Sequence, residues 1–268
     1  MKYGLMAIAG TFFLSCSFVF AMSVELQEAE ANFERRSNKS DLLKAKKLYE
    51  KIITKSDNKK EKIHAFDKYA RLAVLEGQLG QFVWGKSAKN SAHIFERCIS
   101  LSRNINYDNL GMHVLEYYYW RAACIGLWAK NTNIFHIGMK SGLIIEMIDL
   151  INYGESNFPD FEHGGFLLLR AGLNTHSSAL KLINQYNPEQ ALRLIQKIRK
   201  YEPDDYTVYL IEAEAYAALQ KKREARAALR TGIQELEKRI VDDNISSLYI
   251  FESKALLSLL KESERKFK

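Results

Sequence analysis

Apolar residues recur at helical spacing along most of this 268-residue chain, and convincing strand-like alternation is missing. The clearest stretch is PEQALRLIQKIRKYEP, residues 188–203. Asn187 can cap it, Pro188 suits the first helical position, and Glu189 complements the positive helix end. Ala191, Leu192, Ile195 and Ile198 then form one buried stripe, and the helix should stop before Pro203. The next helix restarts at once, with Asp204 and Asp205 as capping residues and Tyr206, Tyr209, Ala213, Tyr216 and Ala217 along it. A break at residues 220–223 leads to another helix carrying Ala225, Leu229, Ile233 and Leu236.

Ala191 and Ala225 stand 34 residues apart, the tetratricopeptide period, and Pro203 falls where that repeat places its terminal proline. Earlier segments are more degenerate. LLKAKKLYEKII places Ala45, Tyr49 and Ile52 at similar offsets, and a helix is predicted over 63–79. SAHIFERCISLS repeats the small-then-aromatic pattern with Ala92 and Phe95. EYYYWRAACIGLWAK (116–130) and GLIIEMIDLIN (142–152) read as partners, and residues 245–260 as a terminal helix. The expected fold is all-α: a tetratricopeptide-like solenoid of helical hairpins, with about four helix pairs plus extra and capping helices.

The amino terminus changes the picture of where the protein works. Lys2 precedes an uncharged run from Leu5 to Phe20, and Ala21 closes it before the first acidic residue, Glu25. Residues 1–21 therefore read as a secretory signal, leaving 22–268 as a single α-helical repeat domain. Two other readings are an uncleaved anchor and a lipoprotein signal ending before Cys16. All of them export the chain.

The formal charge is +7, but the basic residues are dispersed. Their densest run, KSDNKKEK, reads as a solvated turn, and no basic face interleaved with aromatics suggests nucleic acid. Cys98 and Cys124 lie inside apolar helical patterns, so either a disulfide or two small buried hydrophobes fits. The cysteines and histidines show no metal-ligand spacing, and neither G-x-S-x-G nor H-E-x-x-H occurs.

One stretch, GQFVWGKS at residues 80–87, matches the phosphate-binding loop G-x-x-x-x-G-K-S/T. That loop needs a strand before it and small residues whose amides can wrap a phosphate. Here a helical pattern precedes it and Phe82, Val83 and Trp84 fill its interior. Gly80, Gly85, Lys86 and Ser87 are therefore read as a chance match inside an inter-helix turn, with no cofactor.

The helix around Trp120 is apolar on all sides, as buried central helices are. Its alternative role is to line a groove or pore with Tyr117, Trp120 and Trp128, while Arg121 meets an anionic group. Arg121 is the sharper residue, because a cation on an apolar helix needs a partner, such as Glu116 or an acid on the next helix. His163 with Gly164 and Gly165 reads as a helix entry or a ligand-contacting turn. His113, His136 and His176 lack a recognisable acid or nucleophile, and no catalytic residue is assigned. An enzyme remains the minor alternative.

The order of these features resembles the T component of tripartite ATP-independent periplasmic (TRAP) transporters. Tyr119, Trp120, Ala122, Gly126, Trp128 and Ala129 match an aromatic Y-W-x-A-x-x-x-G-x-W-A helix, and Gly164-Gly165 a following glycine pair. Pro203-Asp204-Asp205-Tyr206 and Ala213-Glu214-Ala215-Tyr216 match its later P-D-Y and A-E-x-Y segments. Cys124 departs from the polar residue usual there, and Arg170 lies further from the glycine pair than the family's arginine. The resemblance implies a non-enzymatic periplasmic scaffold, similar to a trimer with a central pore, that docks a solute-binding protein and handles a small organic or apolar ligand. Any membrane attachment would run through a lipid anchor. The alternative is a general periplasmic tetratricopeptide adaptor for protein or peptide partners in envelope assembly.

Overall fold

The computed structural model describes residues 23–84, 91–106, 114–175, 186–202, 205–241 and 246–267. The leader in all its readings, and Gly85, Lys86, Ser87, His113, His176, Pro203 and Asp204, lie outside these residues. Among the described residues the structure is all-helical, and helices pack chiefly against their neighbours in sequence. No helix among them is long and apolar enough to cross a membrane.

The first three helices are α1 (Val24–Glu34), α2 (Lys39–Lys55) and α3 (Lys59–Val74). Each begins at a side-chain cap: Ser23, Asn38 and Asn58 accept backbone N–H groups of the first turn. Ala45, Tyr49 and Ile52 are buried between α2 and its neighbours, as their spacing predicts. Tyr49 keeps its hydroxyl satisfied by donating to Glu30 at 2.7 Å.

Helix α3 does not end where the sequence suggests. It passes through a π-helical turn, Leu75–Leu79, and continues as α4 (Gly80–Trp84). The first five residues of GQFVWGKS are thus helical, which corrects the expectation of a turn there. Two contacts account for the continuation. An added Cβ on Gly77 would stand only 2.5 Å from the Phe95 ring, so the glycine admits the next helix at close range. Trp84 also packs against Phe251, 6.2 Å between ring centroids, which anchors the far end of α4.

The middle of the chain forms α5 (Ser91–Ser102), α6 (Val114–Lys130), the short α7 (Ile134–Met139) and α8 (Ser141–Asn157). A disulfide joins Cys98 to Cys124, and both cysteines are fully buried between α5 and α6. A 3₁₀ turn, Phe161–His163, leads into α9 (Gly165–Thr175). Gly164 takes φ +94°, a conformation that suits glycine, and Gly165 lies so close to Tyr119 that a Cβ would sit 2.8 Å from its ring.

Helix α10 (Pro188–Tyr201) starts as its sequence predicts, with the Asn187 side chain accepting from Gln190 N–H and proline at the first position. It buries Ala191, Leu194, Ile195 and Ile198, whereas Leu192 is only partly covered. Leu194 faces the core in its place because α9 and α11 flank α10 on adjoining sides. Helix α11 (Val208–Ala218) begins later than expected. Asp205 accepts the Thr207 N–H at 2.9 Å and holds a turn ahead of the helix instead of capping it directly.

Helix α12 (Lys222–Ile240) follows a turn in which Gln220 takes φ +62°. Ala191 and Ala225 are both fully buried in the second helices of successive pairs. The last helix, α13 (Ser247–Arg265), packs on α12 and also returns to α4. Glu252 on α13 pairs with Arg36 at 2.8 Å, which ties the end of the chain to its beginning.

Candidate functional site

The return of α13 toward α4 borders a partly open cavity of about 670 Å³ between the two halves of the helical array. That volume falls within the range of small-molecule sites. Each wall stems from a local feature of sequence. Val74, Gln78 and Leu79 come from the end of α3 and its π turn. Such turns insert one residue into a helix and rotate the side chains beyond it, and they recur at functional positions. Here the Ser91 hydroxyl donates to the Gly77 carbonyl at 2.7 Å and holds the turn.

Helix α6 supplies Tyr119, Trp120, Ala123, Gly126 and Leu127, and its small residues keep that wall shallow. Ile144, Met147 and Ile151 of α8 and Leu168, Gly172 and Leu173 of α9 continue the apolar lining. Leu210 and Ile211 of α11 face Leu256 and Leu259 of α13 across the remaining side.

Several of the polar groups on the lining are occupied. Lys130 pairs with Glu214, and Glu252 is engaged with Arg36. The Thr175 hydroxyl donates to the Gly172 carbonyl at 2.9 Å, and Asp205 accepts from Thr207. Trp120 is a further lining residue. Its indole Nε1 is buried and has no hydrogen-bond partner.

Trp120 also carries a cation over its face. The Arg71 guanidinium carbon sits 5.0 Å from the ring centroid, while Arg71 bonds Asp67 and Glu162, each at 3.0 Å. Burial, together with the nearby carboxylates of Asp67 and Glu162, pushes the Glu116 carboxyl up to about 7. Burial likewise raises the Tyr119 hydroxyl well above its ordinary value.

Of the residues singled out from sequence, Trp120 lines the cavity, whereas Tyr117, Arg121 and Trp128 do not. Those three lie on another face of α6 and are buried. Tyr117 donates to the Ser102 carbonyl at 3.4 Å. Arg121 forms a two-pronged pair with Glu146 on α8, with Nη2 at 2.8 Å from Oε2, and also reaches the Ser102 hydroxyl and the Ile99 carbonyl. Its partner is thus the acid on the next long helix, and its remaining donors satisfy the carbonyl end of α5. Trp128 lies under Lys140, whose Nζ is 5.5 Å from the ring centroid.

Gly164 and Gly165 shape the entry to α9 and bring it against Tyr119. The His163 side chain lies outside what the structure describes. Gly80 takes ordinary helical angles (φ −59°, ψ −28°), so its amide belongs to a continuing helix and not to a phosphate-wrapping loop. Among the described residues no group of three His, Cys, Asp or Glu side chains could hold a metal ion. The described lining contains neither histidine nor cysteine. The described lining is mainly apolar, with a minority of polar and charged side chains.

Sequence reasoning missed Gln78, Leu168, Leu210 and Leu256, because the cavity gathers them from helices far apart in the chain. The local signal was slight: Gly126 and Gly172 sit inside helices where alanine would be the better helix former. No family model matches the chain, and no curated protein matches it.

Proposed function

We propose that this protein is an exported, non-enzymatic helical-repeat scaffold that docks a periplasmic solute-binding protein and holds a small organic or apolar ligand. The observation that carries this reading is the apolar cavity between the Trp120 helix and the returning α13. A binding scaffold needs a shaped, largely apolar cavity, and most of the residues lining this one are apolar.

Three further features support it. Successive helix pairs placing Ala191 and Ala225 alike favour a tetratricopeptide-like solenoid. The Cys98–Cys124 disulfide suits an oxidising compartment, in keeping with the leader. The likeness of residues 119–129 and 203–216 to the TRAP T component supplies the kind of partner, and its trimeric form the expected assembly.

Immobilised protein exposed to periplasmic extract from its own source should retain a solute-binding protein. Recovery of other envelope proteins and no solute-binding protein would replace this reading with that of a general adaptor. Light scattering of the purified protein tests the trimer directly.

A further inference from the structure

Helix α2 presents an outer face of one sign. It packs against α1 and α3, and every charged residue it leaves exposed is a lysine: Lys39, Lys44, Lys47, Lys51 and Lys55. The other exposed positions, Ser40, Leu43 and Thr54, are uncharged. Both acids of the helix are half-buried and engaged by arginines, Asp41 by Arg35 at 3.6 Å and Glu50 by Arg97 of α5. Lys51 pairs with Glu25 of α1, but both side chains are 46% exposed and water competes for them.

Lys44, Lys47, Lys51 and Lys55 follow one another at helical spacing, so they form a single stripe about 17 Å long. Like charges at this spacing repel and weaken a helix. A face that serves only solubility mixes its signs, as α12 does with Arg223 beside Glu224 and Glu237 beside Lys238. No residue of α2 belongs to the described lining of the cavity, so this face is separate from the ligand site.

The amino end of α1 lies beside one end of the stripe. The Ser23 N–H donates to Glu61 of α3 at 3.2 Å, and Glu25 meets Lys51. Lys59 and Lys60, exposed at the start of α3, extend the positive charge around that point. Val24 is 80% exposed there. In sequence, only Ala21 and Met22 separate Ser23 from the uncharged run Leu5 to Phe20. The place where an apolar segment joins the fold is thus flanked by lysines.

We propose that the exposed face of α2, together with the start of α3, docks on an anionic phospholipid surface. The lysine ammonium groups meet lipid phosphates, and Val24 enters the interfacial layer beside them. A straight run of cations suits a plane of negative charge, and each lysine near such a surface adds to the attraction. The nearby apolar run is what favours lipid over an acidic protein. Apolar run and basic face are two membrane signals at one end of the fold, and together they hold more firmly than either. Where the leader is removed, the basic face acts by itself.

The test is cosedimentation of the purified full chain with vesicles in about 0.1 M salt. A lipid or apolar anchor enters neutral and anionic vesicles alike, so the readout is the ratio of the two affinities. Phosphatidylcholine with about 30% phosphatidylglycerol should bind about fiftyfold more tightly than phosphatidylcholine alone. Raising the salt to about 0.5 M should bring that ratio below about threefold. Lys44→Gln with Lys47→Gln should lower the ratio about tenfold, whereas Lys222→Gln with Lys238→Gln on α12 should leave it within about twofold. Glutamine is nearly as good a helix former as lysine, so far-ultraviolet circular dichroism should not change.

Equal affinity for the two kinds of vesicle, or a ratio indifferent to salt, would overturn the proposal, and both are read on the unaltered protein. An equal loss in the α12 variant would overturn it as well, since net charge and not this face would then be responsible. Capture of an acidic protein through Lys44 and Lys47, with no preference for anionic vesicles, would replace the lipid surface with a protein partner.

Discussion

Arg121 and Glu146 form a two-pronged pair across α6 and α8, and the arginine is 8% exposed while the glutamate is 37% exposed. The same guanidinium donates to Ser102, so one side chain joins three helices. Glu146→Ala removes a carboxylate from that buried cation and should cost about 2–3 kcal/mol in urea unfolding. Replacing both residues with leucine should cost less than the sum of the single changes, since no unpaired charge is left behind.

The disulfide between Cys98 and Cys124 spans 26 residues of sequence and is fully buried. Its removal in a Cys98→Ala, Cys124→Ala variant should lower stability by about 3 kcal/mol, through the greater freedom of the unfolded chain. Thiol labelling after treatment with reductant should stay low under native conditions and rise only as urea unfolds the protein.

Glu116 makes stability depend on pH. Its carboxyl titrates at about 7 in the fold against an ordinary 4.5, with burial the larger cause and Asp67 and Glu162 next. Below the lower value both states hold the proton and no penalty arises. Between the two values the unfolded chain releases its proton while the fold retains it, so stability falls as pH rises and stays low above about 7. Glu116→Gln should therefore gain on the order of 1 kcal/mol at pH 8, allowing for solvent screening of a half-buried group, and nothing at pH 4. Denaturation midpoints at the two pH values check this.

Two glycines inside helices should respond in opposite directions. A Cβ on Gly172 would rest 3.8 Å from Ile211 Cδ1, an ordinary contact, so Gly172→Ala should stabilise α9 by about 0.5–1 kcal/mol. A Cβ on Gly154 would stand 2.3 Å from the Phe166 ring, which packs against the helix with no room to retreat. Gly154→Ala should cost about 1–3 kcal/mol. Thermal unfolding of the two variants gives the comparison.

What the sequence conveyed well was local. The caps at Asn187 and Pro188, the buried alanines of the later pairs and the all-round burial of α6 come from spacing and residue type alone. Periodicity placed Cys98 and Cys124 on apolar faces but could not say that those faces meet. The same limit explains the helical course of residues 80–84. They are held by Phe251, far along the chain, together with the close fit of Gly77 to Phe95. Arg121 was recognisable as a cation in need of a partner, yet choosing Glu146 required knowing how α8 crosses α6. The cavity was the least legible feature, since no one helix contains enough of its wall to leave a pattern.

The position of α13 sets when the cavity first takes shape. Leu256 and Leu259 furnish one side of the enclosure, and they belong to the last helix in the described structure. During synthesis, every earlier helix pair can assemble on its neighbour while the cavity still lacks that side. The cavity gains its last described wall only once that final segment has docked on α4. Binding would thus report completion of the array, and a chain cut short before Ser247 could keep most of its helices yet be unable to retain a ligand.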